Sequence, residues 1–433
     1  MKKLISLLLA LVMVLSLAAC GGGSSSQSAS SGNDQPADEN ADAPAEGGSE
    51  LSGSITVWEH DYPYEESLKQ IIEGFNKQYP NVEVKYQIRA DGDYYSLLQT
   101  AIQSGDGPDL FWTNGTATTT MPDMVSNGAM QDLTDAVDFS FISDSAMDLS
   151  RVNDGLYSVP WMTLDTRTVF YNKDMFAENG WEIPKTFSEF ETLMATIKDA
   201  GITPVSLAYD SWSMLFAYEP ILAAYSPEYA NGLSDYSSKA DDPAAREALQ
   251  KMVDWANAGY FGDNWLGVID NAAQVLTFTT GNAAMNIAGS WDAATIQDNN
   301  PALNLGAFTI PAEDGTTGLV GTSSNGFSVN AASKNMDAAL AFANYCASKE
   351  AQTIWVQSQG AVSATTEIEA STEVAQEITA SGAGNTYRSW QNVLSSYSNE
   401  GSASVIWESD FKKVFSGELT VDQLFDNIAA EMQ

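Results

Sequence analysis

Histidine is almost missing from this chain: His60 stands alone among 433 residues. Ser-His-Asp and Cys-His machineries need a histidine base, and no serine here sits in a nucleophile-elbow pattern. One histidine also rules out a histidine-rich metal site. Cysteine is nearly as scarce, with only Cys20 and Cys346, so neither a disulfide framework nor a cysteine metal site can be assembled. Arginine is limited to Arg89, Arg151, Arg167, Arg246 and Arg388, and the formal net charge is −38 at pH 7. Nucleic acid needs basic patches, which argues against that partner. Phosphates and carboxylates usually recruit arginine forks, so a neutral polar ligand suits the inventory better. There is no phosphate-cradling loop and no dinucleotide glycine fingerprint after a strand. Asp91-Gly92-Asp93 lacks the remaining ligands of a calcium loop and reads as a turn. The expectation is a protein with no cofactor and no metal. One catalytic possibility survives: 57 acidic residues can supply a paired-carboxylate glycosidase centre, which spacing in sequence does not locate.

What is present begins with a leader. Lys2 and Lys3 precede an apolar run from Leu4 to Ala19 that ends at Leu17-Ala18-Ala19-Cys20. A positive start, a short apolar core and small residues before a cut site describe a secretory signal over residues 1–20. Leu-Ala-Ala-Cys resembles the bacterial lipobox, which implies lipidation of Cys20. Residues 21–50 are Gly, Ser, Ala, Asn, Gln, Pro and acids, without aromatic or basic residues. Such a segment buries too little apolar surface to offset chain entropy and is expected to be an extended, disordered tether.

Beyond it the chain has ordinary globular composition, long enough for two lobes with separate cores. Ile55-Thr56-Val57-Trp58 reads as a strand. Leu68, Ile71, Ile72, Phe75 and Tyr79 then share one helical stripe, and Val82, Val84, Tyr86 and Ile88 alternate as a second strand. A helix at Leu97, Leu98, Ala101 and Ile102 leads to a buried strand at Asp109-Leu110-Phe111-Trp112. This alternation predicts an α/β protein with a largely parallel sheet. Thr186-Phe187-Ser188-Glu189 and Thr420-Val421-Asp422-Gln423 carry capping-box logic, and Asp242-Pro243 places a cap before a first-turn proline. Cys346, in an apolar helical stretch, reads as a small buried hydrophobe.

Three groups of motifs carry a resemblance. The first is Gly53-Ser54-Ile55-Thr56-Val57-Trp58, Gly74-Phe75-Asn76-Lys77-Gln78-Tyr79-Pro80-Asn81-Val82 and Gly107-Pro108-Asp109-Leu110-Phe111. The second is Gly155-Leu156-Tyr157-Ser158-Val159-Pro160 with Phe170-Tyr171-Asn172-Lys173-Asp174-Met175-Phe176. The third is Phe278-Thr279-Thr280-Gly281-Asn282-Ala283-Ala284-Met285, closing at Gly289-Ser290-Trp291. Together they resemble extracellular solute-binding protein family 1, from about residue 53 to the C-terminus. The resemblance implies a two-lobed α/β fold of the type II periplasmic-binding-protein kind, hinged around a central cleft. Lobe 1 would hold 51–165 plus 307–363 and lobe 2 would hold 166–306 plus 364–433, with crossings near 159–165, 306–312 and 361–366. It further implies a lipid-anchored monomer on the outer face of the cytoplasmic membrane, as in Gram-positive cells. That monomer would capture a carbohydrate, an oligosaccharide, for the permease subunits of an ABC importer. Two alternatives stay open: a binding protein of this fold for a polyol, glycerol phosphoester or peptide, and a secreted carbohydrate-active enzyme.

A pyranose offers C–H-rich faces and a rim of hydroxyls, so its site needs flat aromatic surfaces and matched polar groups. By resemblance Trp291 is a stacking tryptophan at a strand end, with Asp292 beside it for a hydroxyl. Asn114 follows the strand at Asp109–Trp112, and Glu59, His60 and Tyr62 follow the first strand. Asp165 and Arg167 lie at the first crossing, where charges in an extended apolar run need a ligand or each other. Trp407 and Trp390 compete for a second stacking position. Trp212, Trp265 and Asn325 complete the candidates from loop-like context, whereas Trp181, Trp255 and Trp355 fall on or beside helical stripes and belong to the core.

Overall fold

The computed structural model describes residues 50–431, apart from 61–63, 90, 118–119, 145, 235–236, 240, 324, 383 and 398–401. The side chains of residues 91–93, 117 and 395–408 are also left undescribed. The leader, Cys20 and the tether up to residue 49 therefore lie outside the described residues. No helix among those described is long and apolar enough to cross a membrane.

The β-branched and aromatic run at Gly53–Glu59 pairs in parallel with Val82–Ile88 on one side and Leu110–Trp112 on the other. Phe327–Val329 closes this four-stranded sheet antiparallel to Leu110–Trp112. The helix Glu65–Gln78 returns the chain between the first two strands and buries Leu68, Ile71, Ile72 and Phe75, the stripe expected from its periodicity. Asp91-Gly92-Asp93 departs from the reading as a turn: it opens the helix Asp91–Ser104. Cys346 is fully buried on the helix Met336–Ala347, and burial pushes its thiol pKa up.

A second sheet is built around the nine-residue strand Leu164–Asn172. Ala283–Gly289 and Leu319–Ser323 flank it, both antiparallel, and Leu305–Phe308 pairs with its far half. Thr203–Ser206 and Thr386–Tyr387 extend the two edges in parallel. The expected largely parallel arrangement thus holds for three strands of the first sheet, while the second is mixed. The cause is the central strand, which arrives from the other sheet and runs against its neighbours. Each sheet has its own apolar core. One gathers Val57, Phe75, Phe111, Trp161 and Phe342; the other gathers Phe190, Met194, Tyr218, Met252 and Phe425. The molecule is a two-lobed α/β protein.

Backbone bonds trace where the chain passes between sheets. Val159 bridges Phe327 in the first sheet, and five residues later Leu164 is paired with Ser323 in the second. The return passes between Ser323 and Phe327, and the last passage lies beside the first, where Thr163 bridges Ser363. Ala307, Phe308 and Val320–Ser323, assigned by resemblance to lobe 1, pair within the second sheet. The middle crossing therefore lies at 323–327 and not at 306–312: Leu305–Phe308 and Leu319–Ser323 both find their ladder partners on Leu164–Asn172.

Candidate cleft between the lobes

A cavity of about 340 Å³ opens where strand ends from both sheets converge. This is the position in which open α/β sheets hold ligands, and the size falls in the usual small-molecule range of about 300–1,000 Å³. Two aromatic walls face each other across it.

The first wall comes from the lobe of the first sheet. Glu59 ends the opening strand and His60 follows it into the cavity. The imidazole lies flat on Trp112, with ring centroids 3.4 Å apart and planes within 8°. Tyr64 stands 5.7 Å away at the start of the next helix. Glu59 itself is fully buried and does not face the cavity; its Oε1 accepts from the His60 backbone N–H (2.8 Å) and meets His60 Nδ1 at 2.6 Å. Tyr62 lies outside the described residues. Asn114 lines the cavity two residues beyond its strand, where its backbone N–H donates to the Tyr95 hydroxyl at 2.8 Å.

The second wall belongs to the other lobe. Trp212 and Phe216 sit one turn apart on the helix Ser211–Tyr225, whose N-terminus is capped by Asp210 accepting from Ser213 N–H. Trp291 comes two residues after its strand and meets Phe216 edge-on, at 5.2 Å and 80°. Its indole folds back over Gly289, where a Cβ would fall 2.1 Å from the ring, so only glycine admits this placement. Arg167 is paired in register with Gly289, which brings it beneath the same wall. Its guanidinium lies 4.3 Å from the Phe216 ring centre and 5.2 Å from that of Trp291.

Arg167 does not rely on Asp165 for its charge partner. Its Nε donates to Glu219 Oε2 at 2.9 Å, and both residues are buried. Glu219 also accepts from the Ser389 hydroxyl and from the Gln391 backbone N–H. The outer guanidinium nitrogens have no hydrogen-bond partner among the described residues, and Arg167 lines the cavity. Asp165, opposite Thr322 in register, lines it as well.

Several candidates are placed elsewhere. Trp265 packs edge-on against Tyr209, Phe261 and Phe415 in the second core. Trp390 is 1% exposed and packs against Tyr218 and Phe425. Asp292 is buried on the helix after Trp291 and accepts from Asn271 Nδ2 at 3.0 Å, away from the cavity lining. The side chain of Trp407 lies outside the described residues. Asn325 does border the cavity, but its amide is already committed. It donates to Thr113 O and Thr113 Oγ1 and accepts from the Ser150 and Ser158 hydroxyls. An amide has about four such bonds to give, so Asn325 fastens the strand-end loops together.

Sequence reasoning did not pick out Phe216, Ser389, Gln391 or Asn392, all of which line the cavity. The last three flank Trp390, which was chosen in their place: the helix start turns its ring to the core and its polar neighbours to the cleft. A second cavity of about 380 Å³ lies across the crossing strands, beside an ion pair between Asp148 and Arg388 (2.7 Å). Among the described residues its lining is mainly aliphatic and hydroxyl-bearing, with Tyr387 as the one aromatic side chain, and shows no facing rings like those of the first.

Known proteins share this architecture. The multiple sugar-binding protein of Streptococcus mutans is 28% identical over 287 residues, 64% of this chain and 67% of its own length. The diacetylchitobiose-binding protein of Streptomyces coelicolor is 28% identical over 357 residues, covering 79% and 77%. The solved structure of the GacH receptor of Streptomyces glaucescens superposes with a TM-score of 0.70 at 25% identity, over 88% of this chain and 97% of that one. The family model for bacterial extracellular solute-binding proteins matches residues 63–353 of the 433, and with two sheets closing on one aromatic cleft the chain belongs to that family, as a solute-binding protein and not an enzyme.

Proposed function

We propose that this protein captures a neutral oligosaccharide outside the cell and delivers it to the permease of an ABC importer. The observation that carries the reading is the cavity with His60 and Trp112 on one wall and Trp212, Phe216 and Trp291 on the other. Flat rings on both sides suit the two apolar faces of a pyranose, and polar groups between them suit its hydroxyl rim. The charge balance favours a neutral ligand: the Arg167 cation is compensated by Glu219 and meets the acid Asp165 in the same cavity lining. The relatives named above for sugars and diacetylchitobiose support the same class.

The lobes of the proposal are those around the two sheets, hinged at 159–164, 323–327 and 361–364. Ligand bridging both walls favours the closed arrangement, because only there do both walls contribute. A thermal-shift screen against maltotriose, raffinose and N,N′-diacetylchitobiose tests the class. A sugar present at a hundred times its Kd adds about 2.7 kcal/mol to stability. The sugar that raises Tm is also expected to lower the radius of gyration in solution scattering. Failure of every glycan in a broad panel, with a polyol or peptide stabilising instead, overturns the carbohydrate reading.

The anchor is proposed from Leu17-Ala18-Ala19-Cys20, with the acidic tether spacing a monomer from the membrane. Cys20→Ser is expected to shed the protein into the medium or leave its leader uncut. An acylated, membrane-bound Cys20→Ser protein counts against lipidation at this residue.

A further inference from the structure

We infer that Glu59 is a positioning residue that fixes the proton of His60 on Nδ1, so that Nε2 meets the ligand as a hydrogen-bond acceptor. The inference rests on the carbohydrate reading for the identity of the group that Nε2 meets.

Four observations converge on this pair. Glu59 is fully buried, and its Oε1 takes both the backbone N–H and the Nδ1 edge of His60. Its other oxygen, Oε2, is buried without a hydrogen-bond partner among the described residues. The imidazole is thus the one side chain among those described that hydrogen-bonds to this carboxylate. A carboxylate taken out of water needs a donor. A proton on Nδ1 satisfies it, and a bare Nδ1 would set two lone pairs against each other.

A 180° turn of the ring about Cβ–Cγ would set Cδ2, and not Nε2, against Glu59 Oε1, so Nδ1 is the nitrogen that reaches this carboxylate. Stacking on Trp112 at 3.4 Å holds its plane, and Tyr64 and Tyr94 stand at 5.7 and 6.0 Å on further sides. Nε2 therefore occupies the edge away from Glu59, on a residue that lines the cavity, and has no hydrogen-bond partner among the described residues. In the neutral ring only one nitrogen carries the proton. With Nδ1 committed, Nε2 presents a lone pair to the cleft and reads a hydroxyl that donates. Arg167, on the opposite wall, offers only donors. His60 Nε2 and the Arg167 guanidinium then have opposite hydrogen-bonding sense, and a ligand that spans the two must bring a donor to one and an acceptor to the other. This pairing of senses suits a sugar hydroxyl rim and rejects a ligand that carries acceptors alone.

Because the chain has a single histidine, the claim is readable on one signal. The mature protein without an affinity tag, labelled with ¹⁵N-histidine, is taken upward in pH until its imidazole shifts stop moving. The expected spectrum is that of the Nδ1–H tautomer, and saturation with whichever panel sugar binds moves the Nε2 signal. Glu59→Gln removes the charge that holds the proton. The Nε2–H form should then appear, and affinity should fall about three- to tenfold, the worth of one neutral hydrogen bond. An Nε2–H tautomer in the wild-type protein, or an Nε2 signal unmoved at saturation, overturns the inference. The tautomer is measured without ligand, so it decides the positioning claim even where no sugar binds and the carbohydrate reading itself fails. It needs only the wild-type protein should Glu59→Gln not fold.

Discussion

Glu219→Gln is expected to lower the unfolding free energy by about 3–5 kcal/mol, the usual cost of removing one partner from a buried ion pair. Arg167 is 6% and Glu219 1% exposed, so neither charge is rescued by water once the other is gone. The glutamine keeps the shape of the side chain and an oxygen for the Ser389 hydroxyl and the Gln391 N–H. What it loses is the charge facing the Arg167 Nε–H at 2.9 Å.

A companion variant separates charge from packing. Arg167→Met combined with Glu219→Gln removes the stranded cation, fills its place with an apolar chain and should recover most of the lost stability. Replacing both members of a buried pair is often close to neutral. Sugar affinity should not return with it, because the outer guanidinium nitrogens on the cavity are lost. Urea melts with tryptophan fluorescence give the first quantity and titration calorimetry the second. A loss under about 1 kcal/mol for Glu219→Gln, the scale of a surface pair, would show that water reaches the pair.

The parts of this fold that were legible in the sequence are those decided by near neighbours. At Thr420-Val421-Asp422-Gln423 the cap closes reciprocally, Gln423 N–H to Thr420 Oγ1 at 3.1 Å and Thr420 N–H to Gln423 Oε1 at 2.9 Å. Thr186 and Asp242 cap their helices as their motifs imply. The stripe on Glu65–Gln78 was readable because that helix has one wet face. Ser211–Tyr225 has none of this signal. It is buried nearly all round, so no period distinguishes Phe216, on the cleft, from Tyr218, in the core. Periodicity reports burial against water, and a helix sealed by other elements on most sides has little water to report. The tryptophans divide by the same logic. Trp265 and Trp390 lie in loop-like or helix-start contexts close to those of Trp212 and Trp291, and only tertiary packing sends the first two inward. The middle crossing was misplaced for a related reason: whether a short strand joins one sheet or the other depends on partners more than 100 residues away, as with Val320 opposite Arg167.

That division sets up the contrast with the largest expected effect on binding. Trp291→Ala removes a half-buried ring from the cleft, where it meets Phe216 edge-on and lies near Arg167. Truncating an aromatic anchor commonly costs 2 kcal/mol or more, so affinity for the panel sugar should fall by about thirtyfold or more. Stability should change less, because the ring lies over Gly289 at the strand's end with one side open to the cavity. Trp390→Ala supplies the opposite case. Its ring is 1% exposed between Tyr218 and Phe425, and its loss should cost about 3–5 kcal/mol in stability through the cavity left behind. The folded fraction should still bind sugar, unless the collapse drags Ser389 and Gln391 out of the cleft lining. Arg167→Met in the Glu219→Gln background gives a reference for how far a shift on that wall weakens binding. Calorimetric titration and thermal melts on the two alanine variants decide between cleft and core. If Trp291→Ala melts early and binds like wild type, the indole belongs to the core of its lobe, and the second wall of the cleft consists of Trp212 and Phe216 alone.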